Sequence, residues 1–151
     1  MASTLVKNDL HIVFHVKTTS PRIDSVILPS LFSFIGGIIK NRNGIPIEIG
    51  GMPDHVHILT SLPKTMSLAD FVRDIKAGSS KWLKTQGTLM GKFEWQEGYG
   101  AFSVSPSMLD KTVAYIRNQA EHHKKRTFAE EYKLFLNAYH IDYEEKYFIA
   151  D

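Results

Sequence analysis

The chain has 151 residues, 43% of them hydrophobic and 23% charged, which suits one globular domain over 1–151 with a real core. It contains no cysteine, so disulfides, thiolate metal sites and thiol nucleophiles are all excluded. The opening MASTLVKNDLHIVFHV has too short an apolar run for a signal peptide or a membrane span, so a soluble cytoplasmic protein is expected.

Net charge is only +2 but is unevenly laid out: +1 over 1–63, +5 over 64–126 and −4 over 127–151. A basic middle beside an acidic tail fits a polyanion-binding surface. From Asp9 to Lys17 apolar residues alternate as in a strand, with Leu10, Ile12, Phe14 and Val16 on one face. His11 and His15 share the other face about 13 Å apart, too far to hold one ion, and are expected to line a site without ligating metal. Between Pro29 and Arg42 the set Leu31, Phe32, Ile35, Ile38 and Ile39 has helical spacing, and Gly44 supplies a C-terminal stop. Gly36-Gly37 weaken that helix, which predicts close packing against its backbone.

Ile45, Ile47 and Ile49 predict a second strand, and the segment Gly50 to Asp54 has turn chemistry. The strand that follows carries His55-Val56-His57. Alternation puts both imidazoles on one face, about 7 Å apart along the backbone, within reach of a single ion. An isolated H-x-H is more often a pair of histidines on a polar sheet face, so the pair needs support from elsewhere. Ser67 with Asp70 opens the next helix, whose stripe is Leu68, Phe71, Val72, Ile75, Trp82 and Leu83. Its outer side carries Arg73, Lys76 and Lys84. Residues 91–105 read as strand, glycine-flanked turn, strand. The order strand, helix, strand, strand, helix, strand predicts an α+β, ferredoxin-like antiparallel sheet with helices on one face and the other face left open.

A late helix is predicted from a capping box at Ser107 and Asp110. Leu109, Val113, Ile116 and Ala120 form its apolar stripe, while Tyr115, Gln119 and His122 cluster about 130° away. A tyrosine packed for structure belongs in or beside the apolar stripe, and Tyr115 is outside it. A phenolic oxygen can attack phosphorus, and a divalent ion held nearby would polarise the phosphate. His122 and His123 are most simply solvated histidines at a basic helix end, and Asp54 serves either the turn or one of the paired histidines. Thr127 and Glu130 cap a final amphipathic helix with Phe128, Tyr132, Phe135 and Tyr139, whose acidic surplus suits packing on the domain or on a partner subunit.

The segments GMPDHVHIL, WQEGYGAFSV and YIRNQAEHHKK together resemble the single-tyrosine HUH transposases, the small TnpA-type enzymes whose elements move as single-stranded DNA. The resemblance runs from the first strand to Lys125. It implies that His55 and His57 hold the divalent ion, Mg2+ or Mn2+, with Gln119 as the third ligand. It implies that Tyr115 is the nucleophile, leaving a 5′-phosphotyrosine and a free 3′-hydroxyl. It further implies a homodimer that binds DNA hairpins at element ends, with Tyr115 and Gln119 serving either their own subunit's histidines or the partner's. Arg73, Lys76, Lys81, Lys84, Arg117, Lys124 and Lys125 are the expected phosphate contacts. Two alternatives stand beside this: a domesticated nuclease acting on chromosomal repeats, and a non-catalytic nucleic-acid-binding module.

Overall fold

The computed structural model describes residues 3–144, so the last part of the acidic tail, residues 145–151, lies outside the described residues. The expected elements occur in the expected order: β1 (Asp9–His15), α1 (Leu28–Asn41), β2 (Ile45–Met52), β3 (His55–Ser61), α2 (Leu68–Leu83) and β4 (Gly100–Ser103). The sheet runs β2-β3-β1-β4 with every neighbouring pair antiparallel, the ferredoxin-like arrangement. Three further helices follow: α3 (Leu109–Arg117), α4 (Gln119–His122) and α5 (Phe128–Ala138).

Alternation along the strands divides the molecule into two layers. Ile12, Phe14, Val56 and Ile58 point to one face and are closed over by Leu31, Ile35 and Ile39 of α1 and Phe71, Val72 and Ile75 of α2. Each of these fully buried side chains contributes about 1.5–3 kcal/mol. This layer therefore stabilises the sheet whatever the opposite face carries. That opposite face bears His11, Val13, His55, His57, Leu59 and Phe102.

The sequence predicts that this second face is open. Instead the late helices cover it. Leu59 packs with Val104 and with Ile116, Leu109 and Val113 of α3. Val13 and Phe102 pack with Leu136, Phe128, Tyr132 and Phe135 of α5. The physical cause is the apolar stripe of α5, which needs a partner and finds one in these two strand residues.

Local chemistry explains most boundaries. Ser67 accepts the Asp70 N–H, and Thr127 with Glu130 makes both bonds of a capping box. At the end of α1 the left-handed residue is Asn43 (φ 66°) rather than Gly44. Gly44 N–H donates to Ile39 O and Asn43 N–H to Lys40 O, the paired bonds of a Schellman motif. Ser107 caps nothing: its hydroxyl pairs with that of Ser105, and α3 begins after a short 3₁₀ turn. The strand expected after Gly91 shrinks to a single bridge between Val16 and Trp95.

The glycines act differently from their predicted roles. Gly50 and Gly51 lie inside β2, and the turn is left to Pro53 and Asp54. A Cβ on Gly50 would stand 2.7 Å from the Ile116 carbonyl oxygen, so α3 is seated directly on the β2 backbone. Around Gly36 and Gly37 there is no such crowding; the close approach of α1 to α2 is at Gly78, against Ile38. Among the described residues no helix is long and apolar enough to cross a membrane.

Candidate metal centre and tyrosine site

β3 delivers His55 and His57 side by side onto the covered face, both with 0% exposure. Each ring is held at both nitrogens. His55 Nδ1 lies 2.7 Å from Asp54 Oδ1, and its Nε2 lies 2.8 Å from Gln119 Oε1. His57 Nδ1 lies 2.7 Å from His11 Nε2, and its Nε2 lies 3.0 Å from Glu131 Oε1. Asp54 thus both occupies the turn and orients a histidine, the two roles its position allows.

The tyrosine helix breaks just before Gln119. Asn118 (φ −98°, ψ 26°) interrupts the run expected from Ser107 onward, ending α3 and starting α4. Across the break Gln119 becomes buried and Ala120, expected on the apolar stripe, becomes exposed. Tyr115 precedes the break and remains half-buried, with its ring 5.8 Å from that of His57. Its phenol donates to Glu131 Oε2. Both Tyr115 and Gln119 therefore meet the histidines of their own chain.

Glu131 of α5 is the residue that sequence reasoning missed. Its carboxylate, 1% exposed, accepts from His57, Tyr115 and, at 3.3 Å, from Gln119 Nε2. His55 Nε2 is 3.6 Å away and His123 Nε2 3.3 Å away. His55, His57 and Glu131 each bring one ligand atom to within 4.8 Å of the others, the buried three-residue cluster that could hold a metal ion. Gln119 sits beside this cluster through His55. A signal for Glu131 exists in the sequence: it lies three residues after Phe128 and four before Phe135, a carboxylate on the apolar stripe.

The electrostatics follow from burial and from these bonds. Burial pushes the Glu131 carboxyl upward, but hydrogen bonds from His57 and Tyr115 and the nearby imidazoles outweigh it and hold the group well below the usual carboxylate range. Burial, then the Glu131 contact, pushes the Tyr115 phenol well above its ordinary value. Burial lowers His11 to about 3 and His57 to about 4, so both rings are neutral near pH 7.

The remaining candidates are distributed unequally. His122 stacks on Tyr115 with centroids 4.3 Å apart, and His123 lies 4.5 Å from the His55 ring. His15 packs against Phe128 at the rim. Lys124 and Lys125 border a groove of about 630 Å³ with Arg22, Arg126, Asp54 and His123, next to the histidine pair. Arg117 is paired with Glu48, and Lys124 with Glu121. Arg73, Lys76, Lys81 and Lys84 lie on or at the end of α2, which packs on the opposite sheet face. Of these, Arg73 is tied to Asp70 and Asp74, while Lys76 donates to the carbonyls of Gln96 and Gly98.

A ferredoxin-like sheet that presents a buried His-x-His pair to a tyrosine-bearing helix matches the class expected from the HUH resemblance. The family model described as "Transposase IS200 like" matches residues 4–119, and the chain belongs to that family. The ISDra2 transposase TnpA of Deinococcus radiodurans is 30% identical over 87 residues, covering 54% of this chain and 62% of that protein. The chain thus spans less than two thirds of the curated relative it matches. Two solved structures share the fold. One, from Deinococcus radiodurans R1 and described as a candidate transposase, has a TM-score of 0.60 at 20% identity, covering 79% of this chain and 96% of the other. The second, a REP-associated tyrosine transposase bound to a REP hairpin, has a TM-score of 0.57 at 14% identity, covering 82% and 74%.

Proposed function

We propose that the chain is a transposase that cuts and rejoins single-stranded DNA through Tyr115. One observation carries this: the Tyr115 phenol, His57 and Gln119 all bond to the carboxylate of Glu131, so nucleophile and ion-holding groups form one connected cluster. The donor set of two imidazoles, a carboxylate and a neighbouring amide oxygen fits a divalent cation, Mn2+ comfortably and Mg2+ less typically. His55, His57 and Glu131 would hold it, with Gln119 adjacent. Such an ion, when bound, polarises a phosphodiester and stabilises the developing charge.

The protein's own groups supply the rest. Glu131 Oε2 accepts the phenol's hydrogen bond and orients it, and the proton given up as the oxygen attacks phosphorus is balanced by the one the departing 3′-oxygen takes up. A bond forms from Tyr115 Oη to phosphorus, and the bond to the departing 3′-oxygen breaks. The products are a 5′-phosphotyrosine and a 3′-hydroxyl strand, and attack by a 3′-hydroxyl reverses the step without ATP. Arg22, Lys124, Lys125 and Arg126 around the groove beside His123 provide cations for the phosphates of the incoming strand. Hairpin-bearing DNA, a homodimeric assembly and a single catalytic domain over 1–151 belong to the same proposal.

The test is a covalent adduct. Protein incubated with Mn2+ or Mg2+ and single-stranded hairpins from the DNA flanking its gene is expected to give a protein–DNA species that survives denaturing gels. Tyr115→Phe and His57→Ala are expected to lose it. An adduct that persists in Tyr115→Phe overturns the choice of nucleophile.

A further inference from the structure

The two ion-holding histidines are supported in different ways. Asp54, a carboxylate, sits behind His55, the arrangement commonly found behind a metal-ligating imidazole. Behind His57 sits another imidazole. His11 is on β1, two residues from Val13, which pairs directly with His57, so the two rings are diagonal neighbours on one sheet face. Their centroids are 4.9 Å apart, and His11 Nε2 and His57 Nδ1 are separated by 2.7 Å. His11 is 2% exposed and is boxed in by Phe102, Phe135 and Tyr115. It cannot itself ligate an ion through Nε2, because that atom is committed to His57.

The partners assign the protons. Glu131 is an ionised acceptor, so His57 Nε2 carries the hydrogen that faces it. With one proton per ring, His57 Nδ1 then accepts, and His11 Nε2–H is the donor. An ion needs the lone pair on His57 Nε2, which moves that ring's proton to Nδ1. For the contact to survive, His11 must turn from donor to acceptor, with its own hydrogen on Nδ1. Each ring keeps one proton and only the direction of the bond reverses. A phenylalanine, a leucine or a protonated amine at this position offers no acceptor for that second state.

We propose that His11 is a positioning residue for the divalent cation, acting through His57 by accepting its Nδ1 proton when Nε2 is given to the ion. This rests on the cation site argued above. His11 holds the ring in register and sets its tautomer without touching metal or DNA.

The test uses the full chain and Mn2+ alone, with binding followed by the electron paramagnetic resonance of free Mn2+. Wild-type protein is expected to bind and His57→Ala to lose binding; if wild type fails to bind, the cation site falls and this proposal with it. Given that binding, His11→Phe is expected to weaken Mn2+ by about 10–100-fold, the usual cost of removing such a support. His11→Gln, whose amide reaches the Nε2 position and can donate or accept, is expected to stay within a few-fold of wild type. A second readout needs no variant: nitrogen NMR of the His57 ring is expected to show Nε2–H in the metal-free protein and Nδ1–H with Mg2+. Undiminished Mn2+ affinity in a folded His11→Phe, or a His57 ring already protonated at Nδ1 without metal, overturns the proposal.

Discussion

Glu131 is approached by His57, Tyr115, Gln119, His55 and His123, and it is 1% exposed. A carboxylate buried among imidazoles is held charged by them, and removing that charge leaves its donors without their acceptor. Glu131→Gln keeps the shape but replaces one acceptor oxygen by a donor. The variant is expected to bind Mn2+ at least ten-fold more weakly and to form less covalent adduct, with titration of free Mn2+ as the check. Equal affinity in wild type and variant would remove Glu131 from the cation site and leave Gln119 as the third ligand. The paired histidines were legible in the sequence because strand alternation fixes their geometry. Tyr115 and Gln119 were legible through helix periodicity and resemblance together. Glu131 stood out only as a carboxylate on an apolar stripe; its role did not, since His57 lies 74 residues away and the contact exists only once α5 has folded onto the sheet.

Among the elements, α3 decides where Tyr115 stands, and the Gly50–Ile116 contact decides where α3 stands. Any side chain at Gly50 meets the Ile116 carbonyl and its Cγ2 atom, at 2.7 and 2.8 Å, so the helix must lift from β2. Overpacking of this kind costs about 1–3 kcal/mol. Gly50→Ala is therefore expected to lower the urea midpoint and to cut adduct formation by more than the loss of folded protein explains, because the residue beside Tyr115 is displaced. Gly37→Ala is the contrast. It lies in a helix interior with nothing within 4 Å of the new methyl, so it is expected to stabilise by about 0.5–1 kcal/mol and leave the adduct unchanged. Glycine composition shows where a backbone is permissive but not what comes near it. That is why the sequence put Gly50 in a turn and expected crowding at Gly36-Gly37. The helix break at Asn118 was equally hidden, for nothing in YIRNQAEHH interrupts helical propensity as proline would.

At the scale of the whole molecule, one sheet face is an apolar layer and the other encloses histidines and a carboxylate, so acid should unfold the protein through the second face. Take the metal-free chain. His11 and His57 have folded values of about 3 and about 4 against 6.5 when unfolded. Between these limits the unfolded state binds more protons than the native one, so stability falls as pH drops. Each ring contributes a slope approaching about 1.4 kcal/mol per pH unit once the unfolded ring is fully protonated. Glu131 acts with the same sign at lower pH. Its folded value lies below the unfolded 4.5, so its contribution is present above that pH and is lost as pH falls further. Urea unfolding in a chelator is expected to give a midpoint that declines from about pH 6.5 and steepens below about pH 4.5. His11→Phe removes one of the two rings and is expected to roughly halve the decline between pH 6 and 4.5. Mn2+ at pH 7 is expected to raise the midpoint by mass action, and the gain should persist at pH 5, where the folded His57 ring is still unprotonated, and fade only toward pH 4. A midpoint unchanged between pH 7 and 5 without metal would mean that these rings are solvated in the folded protein and that α5 does not close the second face.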